Sequence, residues 1–140
     1  MEPTPPTPAE RAAHFAGKLE FETDPSDVAA DRAAGRRMTV VDVRSADAYA
    51  QGHLPGAIHI PHAEIPARAA TEVPVDQPVV VYCWGPGCNG STRGALQFAR
   101  LGYAVTEMIG GYEYWVREGL RSESATGSRR APVDPLTAVP

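Results

Sequence analysis

Pro78-Val79-Val80-Val81-Tyr82-Cys83-Trp84-Gly85-Pro86-Gly87-Cys88-Asn89-Gly90-Ser91 is the stretch that decides the fold. Its opening run is apolar and β-branched, which predicts a strand buried on both faces. Glycines and Pro86 then break the extended pattern. A helix-forming segment, Ser91–Leu101, follows at once, with Ala95, Leu96 and Ala99 expected on its inward stripe. Strand, glycine-rich turn and helix start together make a cradle of backbone N–H groups that favours anions. Cys83 stands at the mouth of that cradle, where a positive field lowers a thiol's pKa and activates it as a nucleophile.

The same alternation continues on both sides. Met38–Val43 reads as a buried strand, Ser45–Gln51 as a short helix, Ala57–Ile60 as a strand stopped by Pro61, and His62–Ala70 as weakly helical around Pro66. Downstream, Gly102-Tyr103 turns into the strand Ala104–Met108, and Gly110-Gly111 leads into a helix over Tyr112–Glu118. Upstream, Met1–Thr7 reads as a disordered lead. Pro8–Lys18 reads as a short helix with Ala12, Phe15 and Leu19 on one face, and Leu19–Glu22 as a short strand. Thr23-Asp24-Pro25 opens a helix that runs to Ala34. The boundaries expected are a lead and short helix over 1–18, one α/β domain over 19–121, and a disordered tail over 122–140 with little to pack. Strands alternating with helices predict a parallel sheet with helices on both faces. In such sheets sites lie at the carboxyl ends of the strands, which puts Asp42 and Arg44 beside Cys83.

Composition narrows the class. The chain has 140 residues, 43% of them hydrophobic and 21% charged, as expected of one globular domain. A net charge of −4 and no basic run longer than an arginine pair exclude a nucleic-acid footprint. No apolar run approaches the roughly 20 residues that cross a bilayer, and the Pro- and Thr-rich start lacks the pattern of a secretory signal. The two cysteines are therefore expected to be reduced, in a cytoplasmic protein. His14, His59 and His62 show no metal-ligand spacing with each other or with the thiols, so no metal or other cofactor is expected.

Three segments carry a resemblance. Asp42-Val43-Arg44, Tyr49 and Gly52-His53-Leu54-Pro55-Gly56-Ala57-Ile58 resemble the first signature of rhodanese (thiosulfate:cyanide sulfurtransferase) domains. Val80-Val81-Tyr82-Cys83 resembles the strand that ends on that family's catalytic cysteine, and Gly110-Gly111-Tyr112-Glu113-Tyr114-Trp115 its C-terminal signature. The three occur in the family's order and cover residues from about 20 to 120, as in a single-domain bacterial type with an extended active-site loop. The resemblance implies a central five-stranded parallel sheet and a persulfide on Cys83. It also implies small-molecule sulfur donors and acceptors (thiosulfate, cyanide, thiols), with a protein persulfide as a further partner. Two departures stand out. The loop is about two residues longer than usual, similar in length to related phosphatase and arsenate-reductase loops, but their closing arginine falls on Asn89 and nothing from Cys83 to Thr92 is charged. Ala48 stands where many members carry an acid, with Asp47 beside it.

The residues leave several roles open. The expected anion-binding loop is Trp84, Gly85, Pro86, Gly87, Cys88, Asn89 and Gly90. Within it, Cys88 either resolves an oxidised Cys83 as a disulfide or simply packs. Trp84 either covers the persulfide or caps the loop. Asp42 and Arg44 read more readily as a structural ion pair than as catalysts, and His53 as a backbone-bonding residue rather than an acid or base. Arg93 is a solvated helix residue or a contact for an anionic donor. Sulfurtransfer through Cys83 is the expectation; a cysteine-based phosphatase or arsenate reductase, and an idle binding module, are the alternatives.

Overall fold

In the computed structural model, which describes residues 1–137, helix formation begins at Thr7. Its hydroxyl accepts the Glu10 N–H and the Glu10 carboxylate accepts the Thr7 N–H, a capping box ahead of α1 (Pro8–Phe21). This start carries the helix through Phe21, so the strand expected over Leu19–Glu22 shrinks to β1 (Glu22–Thr23). α1 buries none of its side chains, and Phe15, Leu19 and Phe21 remain exposed. The Asp24 carboxylate caps α2 (Pro25–Ala33) by accepting the Asp27 N–H. Then follow β2 (Thr39–Asp42), α3 (Ala46–Gln51), β3 (Ile58–His59), a 3-10 turn over His62–Glu64, α4 (Ile65–Glu72), β4 (Val79–Tyr82), α5 (Gly90–Arg100), β5 (Val105–Met108) and α6 (Gly111–Arg117).

The five strands form one parallel sheet in the order β1-β5-β4-β2-β3. β4 is buried on both faces. Val79 and Val81 pack with Ile65, Ala69 and Phe98 beneath α4 and α5, while Val80 and Tyr82 pack with Val28, Leu54 and Trp115 beneath α2 and α6. That double burial is why its sequence shows no polar alternation. After β2 the chain runs outward to β3, then returns across to β4 and continues to β5. The connections of β2 and β4 therefore leave in opposite directions, and a crevice opens outside their carboxyl ends.

Two expectations are corrected. The inward face of α5 is Ser91, Gly94, Ala95 and Phe98; of the three residues expected there Ala95 is in place, while Leu96 and Ala99 are exposed. A β-carbon at Gly94 would lie 3.1 Å from Val43 Cγ1 and 3.4 Å from Ile65 Cδ1, so the helix uses a glycine to sit close to the sheet. Leu96 and Ala99 instead line an apolar groove of about 550 Å³ against Ala13 and Phe21 of α1.

The tail is also ordered where it was expected to be disordered. β6 (Ser122–Ser124) and β7 (Gly127–Arg129) form an antiparallel hairpin, and Ser122 is buried. Glu123 and His53 exchange backbone N–H···O bonds of 2.9 Å each, the indole N–H of Trp115 donates to Arg121 O, and the Asp134 N–H donates to Arg117 O at 2.7 Å. Hydrogen bonds rather than apolar burial hold this segment. Its last three residues, 138–140, lie outside the described residues.

Candidate active site

Asp42 closes β2 completely buried, and its carboxylate is surrounded by donors. Arg44 reaches it through Nε at 3.0 Å and Nη2 at 2.7 Å, the Arg44 N–H donates at 2.9 Å, and the Tyr82 hydroxyl donates at 2.6 Å. Arg44 Nη2 also donates to Gly52 O at 2.6 Å, and its guanidinium lies 4.3 Å from the Tyr112 ring centre. The Tyr82 oxygen in turn accepts the buried Leu54 N–H at 3.1 Å. Burial alone would lower the Arg44 pKa, but the hydrogen bond and charge of Asp42 outweigh it and the net shift is upward. Burial, then the charge and hydrogen bond of Asp42, hold the Tyr82 pKa well above its ordinary value. The ion pair thus ties β2, β4 and the Gly52–Leu54 turn together. His53 is engaged likewise: its Nδ1 pairs with Tyr49 O at 2.9 Å, and its ring stacks on Tyr49, which stacks on His59.

Cys83 follows β4 directly, at the carboxyl-end crevice, and is 4% exposed. Its sulfur is joined to that of Cys88, with the Cα atoms 6.4 Å apart, so the expectation of two free thiols is corrected. The Cys88 N–H donates to Gly85 O at 3.1 Å, and this turn folds the second cysteine back over the first. Gly90 leaves room for the pair. A β-carbon there would lie 2.9 Å from Cys83 Sγ and 3.3 Å from Cys88 Sγ, and its N–H points to Cys88 Sγ at 3.3 Å. On the other side the loop rests on α6, where the Tyr112 N–H donates to Cys83 O at 2.9 Å and the Glu113 N–H to Trp84 O at 2.8 Å. The N–H groups of Trp84, Gly85, Gly87 and Asn89 have no acceptor among the described residues. Trp84 is half exposed, and its ring lies against Gly87 at the loop tip.

Charges of both signs surround the loop. Glu107 of β5 accepts from Ser91 Oγ at 3.0 Å and Thr92 Oγ1 at 2.8 Å, so a carboxylate occupies the flank of the α5 N-terminus. Glu113 approaches Gly85, where a β-carbon would meet its Oε1 at 2.6 Å. Arg93 turns back to donate to Asn89 Oδ1 at 3.2 Å. Two cavities border Cys88 and Asn89. One, of about 330 Å³, is lined by Arg44, Ser45, Ala48, His62, Cys83 and Trp84, and also touches Cys88 and Asn89. The other, of about 420 Å³, borders Cys88 and Asn89 with Glu22 and Glu107 on its far wall, and Cys83 does not line it. Ala48 lines the first of these cavities, and the neighbouring Asp47 lines neither.

Sequence reading singled out Cys83, the loop, Asp42 and Arg44, and the fold brings them to one end of the sheet. It passed over Tyr82, Glu107 and Glu113, and assigned His62 no place. A tyrosine closing an otherwise aliphatic strand was the one available signal, because a buried phenol needs a partner for its hydroxyl.

A parallel sheet flanked by helices, with a switch-point crevice that opens on a strand-end cysteine, defines the class as an α/β domain. The particular family is the rhodanese-like domain, whose match covers residues 24–118, and the chain belongs to it. It is 36% identical over 90 residues to the thiosulfate sulfurtransferase GlpE of Pseudomonas paraeruginosa, covering 63% of this chain and 77% of that protein. It is 37% identical over 110 residues to an HTH-type transcriptional regulator of Mycobacterium tuberculosis, covering 78% of this chain but only 47% of the regulator. The chain thus spans about half the length of that relative. Among solved structures, the BH2092 protein of Bacillus halodurans superposes with a TM-score of 0.78 at 42% identity, over 86% of this chain and 89% of that one.

Proposed function

We propose that the protein is a sulfurtransferase that moves sulfane sulfur through a Cys83 persulfide. The observation that carries this reading is the position of Cys83: it ends β4 at the switch-point crevice, with its sulfur over the bare backbone of Gly90 at the start of α5. The Cys83 thiolate attacks the outer sulfur of a donor such as thiosulfate or a small persulfide, the donor's own S–S bond breaks, and its electron pair leaves on sulfite or on the donor thiolate. The loop amides of Trp84, Gly85, Gly87 and Asn89, with the α5 dipole, stabilise the anionic outer sulfur. A thiophilic acceptor, cyanide in an assay and a thiol in a reducing cytoplasm, then removes it. Asp42, Arg44 and His53 act as braces that hold the crevice, and Arg93 with Asn89 closes the loop. The chemistry requires no metal or organic cofactor.

A phosphatase or arsenate reductase on this fold would need a guanidinium to clasp its oxyanion. Asn89 stands at that position, and the Glu107 carboxylate flanks the same helix start, so this reading is disfavoured. An idle binding module would not need a thiol over an amide cradle. The deciding experiment is thiocyanate formation from thiosulfate and cyanide by the reduced protein. Cys83→Ser should lose about a thousandfold or more of the rate, and an unchanged rate in that variant would remove Cys83 as the nucleophile.

A further inference from the structure

We propose that Cys88 diverts the Cys83 persulfide to reductive release of sulfide, so that the domain works as a two-thiol persulfide reductase. This rests on the Cys83 persulfide proposed above. The outer sulfur is bonded to Cys83 Sγ. The Cys88 thiolate attacks Cys83 Sγ, the Cys83–Cys88 disulfide forms, and the bond to the outer sulfur breaks with its electron pair leaving on HS⁻. The two cysteines are oxidised by two electrons together, and the sulfane sulfur is reduced to sulfide. A small thiol then restores the pair. It attacks one sulfur of the disulfide, a second equivalent displaces the mixed disulfide, and the thiols leave as their own disulfide while both cysteines are freed.

Four features converge on this step. First, the disulfide is closed inside the folded loop, with α5 intact from Gly90 onward, so its formation needs no unwinding of the helix. Second, the glycine at 90 leaves open the space where both sulfurs sit, and its N–H points to Cys88 Sγ, which favours that sulfur as a thiolate. Third, the two sulfurs differ in access. Cys83 is buried and lines one cavity only, whereas Cys88 is partly exposed and lines both, so an incoming thiol meets Cys88 and releases Cys83 as the next nucleophile. Fourth, Glu107 and Glu113 flank the loop, while Arg44 is engaged by Asp42 and Arg93 is turned onto Asn89. The amides hold the outer sulfur while it is bonded to Cys83, the flanking carboxylates favour the departure of HS⁻ once that bond breaks, and donors of low charge, such as small persulfides, suit the site better than dianions.

The test is a single turnover of reduced, thiol-free protein with excess thiosulfate, followed by intact mass and sulfide assay. Wild type should end about 2 Da below the dithiol form, with about one equivalent of sulfide released per chain. Cys88→Ser should instead hold a stable adduct of about +32 Da and release less than about a tenth of that sulfide. Uptake of the adduct by the variant also shows that its loop is folded. A persistent adduct in wild type, as long-lived as in Cys88→Ser and without sulfide, would overturn the resolving step while leaving the sulfurtransferase reading intact. No adduct in Cys88→Ser would overturn the Cys83 persulfide itself, and this proposal with it.

Discussion

Replacing Gly111 by alanine probes how the glycine pair at the start of α6 sets the position of the reactive loop. Gly111 has φ +63°, a conformation that costs alanine about 1–2 kcal/mol. Its new β-carbon would lie 2.6 Å from Cys83 O, 2.7 Å from Gly85 N and 2.9 Å from the carbonyl carbon of Trp84. All three are backbone atoms that cannot rotate away, and overpacking of this kind costs about 1–3 kcal/mol more. Gly102 supplies the control: its φ is +91°, yet no atom lies within 4 Å of the same construction. Gly102→Ala should therefore show only the conformational cost, about 1.5 kcal/mol, against about 3 kcal/mol for Gly111→Ala. For a domain of this size, that corresponds to melting points lowered by about 5 °C and about 10 °C. The loop carrying Cys83 has to shift to relieve the contact, and a displacement near 1 Å costs on the order of 100-fold in rate. Urea denaturation and the rate of sulfur uptake by reduced protein read the two effects separately. Equal destabilisation by both substitutions, or an unchanged uptake rate in a destabilised Gly111→Ala, would refute the argument.

Tyr82→Phe removes a hydroxyl that donates to the buried Asp42 carboxylate and strands the buried Leu54 N–H, so it should cost about 3 kcal/mol in denaturant unfolding; a loss below about 1 kcal/mol would mean that the hydroxyl is not integral to the network. The raised Tyr82 pKa sets a pH signature as well. The unfolded phenol loses its proton near the ordinary value of 10.0 while the folded one keeps it, so wild-type stability holds below that pH and falls above it. The gap between wild type and Tyr82→Phe should therefore narrow as pH rises past 10, and a constant gap would count against the assignment. For the anion specificity, wild type should hydrolyse p-nitrophenyl phosphate negligibly, and Asn89→Arg should tighten inhibition of sulfur transfer by phosphate about tenfold. Robust hydrolysis by wild type that vanishes in Cys83→Ser would overturn the sulfurtransferase choice.

What could be read from the sequence was whatever rested on local pattern. The run Val79–Tyr82, the glycines after Cys83 and the Asp24 and Ser45 caps all act within a few residues, and each element they predict is present. The misplaced face of α5 has a clear physical origin. A stripe of apolar residues marks the buried side only when helix and sheet are held apart by side chains, whereas here Gly94 and Ser91 make the contact and Leu96 is left to the groove with α1. The hairpin after Arg121 was invisible for a different reason. It docks by main-chain exchange between Glu123 and His53, which leaves no periodic trace in the side chains. Likewise, the disulfide depends on a turn that brings Cys88 back to Cys83, a distance that spacing alone does not give.

Helix α1 has a consequence for how the molecule opens. Its 14 residues contribute no buried side chain, so little free energy opposes its detachment beyond its capping box and the groove that it forms with α5. It is therefore a separate, low-stability opening unit whose amides exchange with solvent long before those of β4, buried on both faces. Such an opening would ordinarily offer a sheet edge to a neighbouring chain. Here the edge strand that adjoins α1 is only Glu22 and Thr23, too short and too acidic to template pairing, so the helix can come and go without inviting aggregation through that edge.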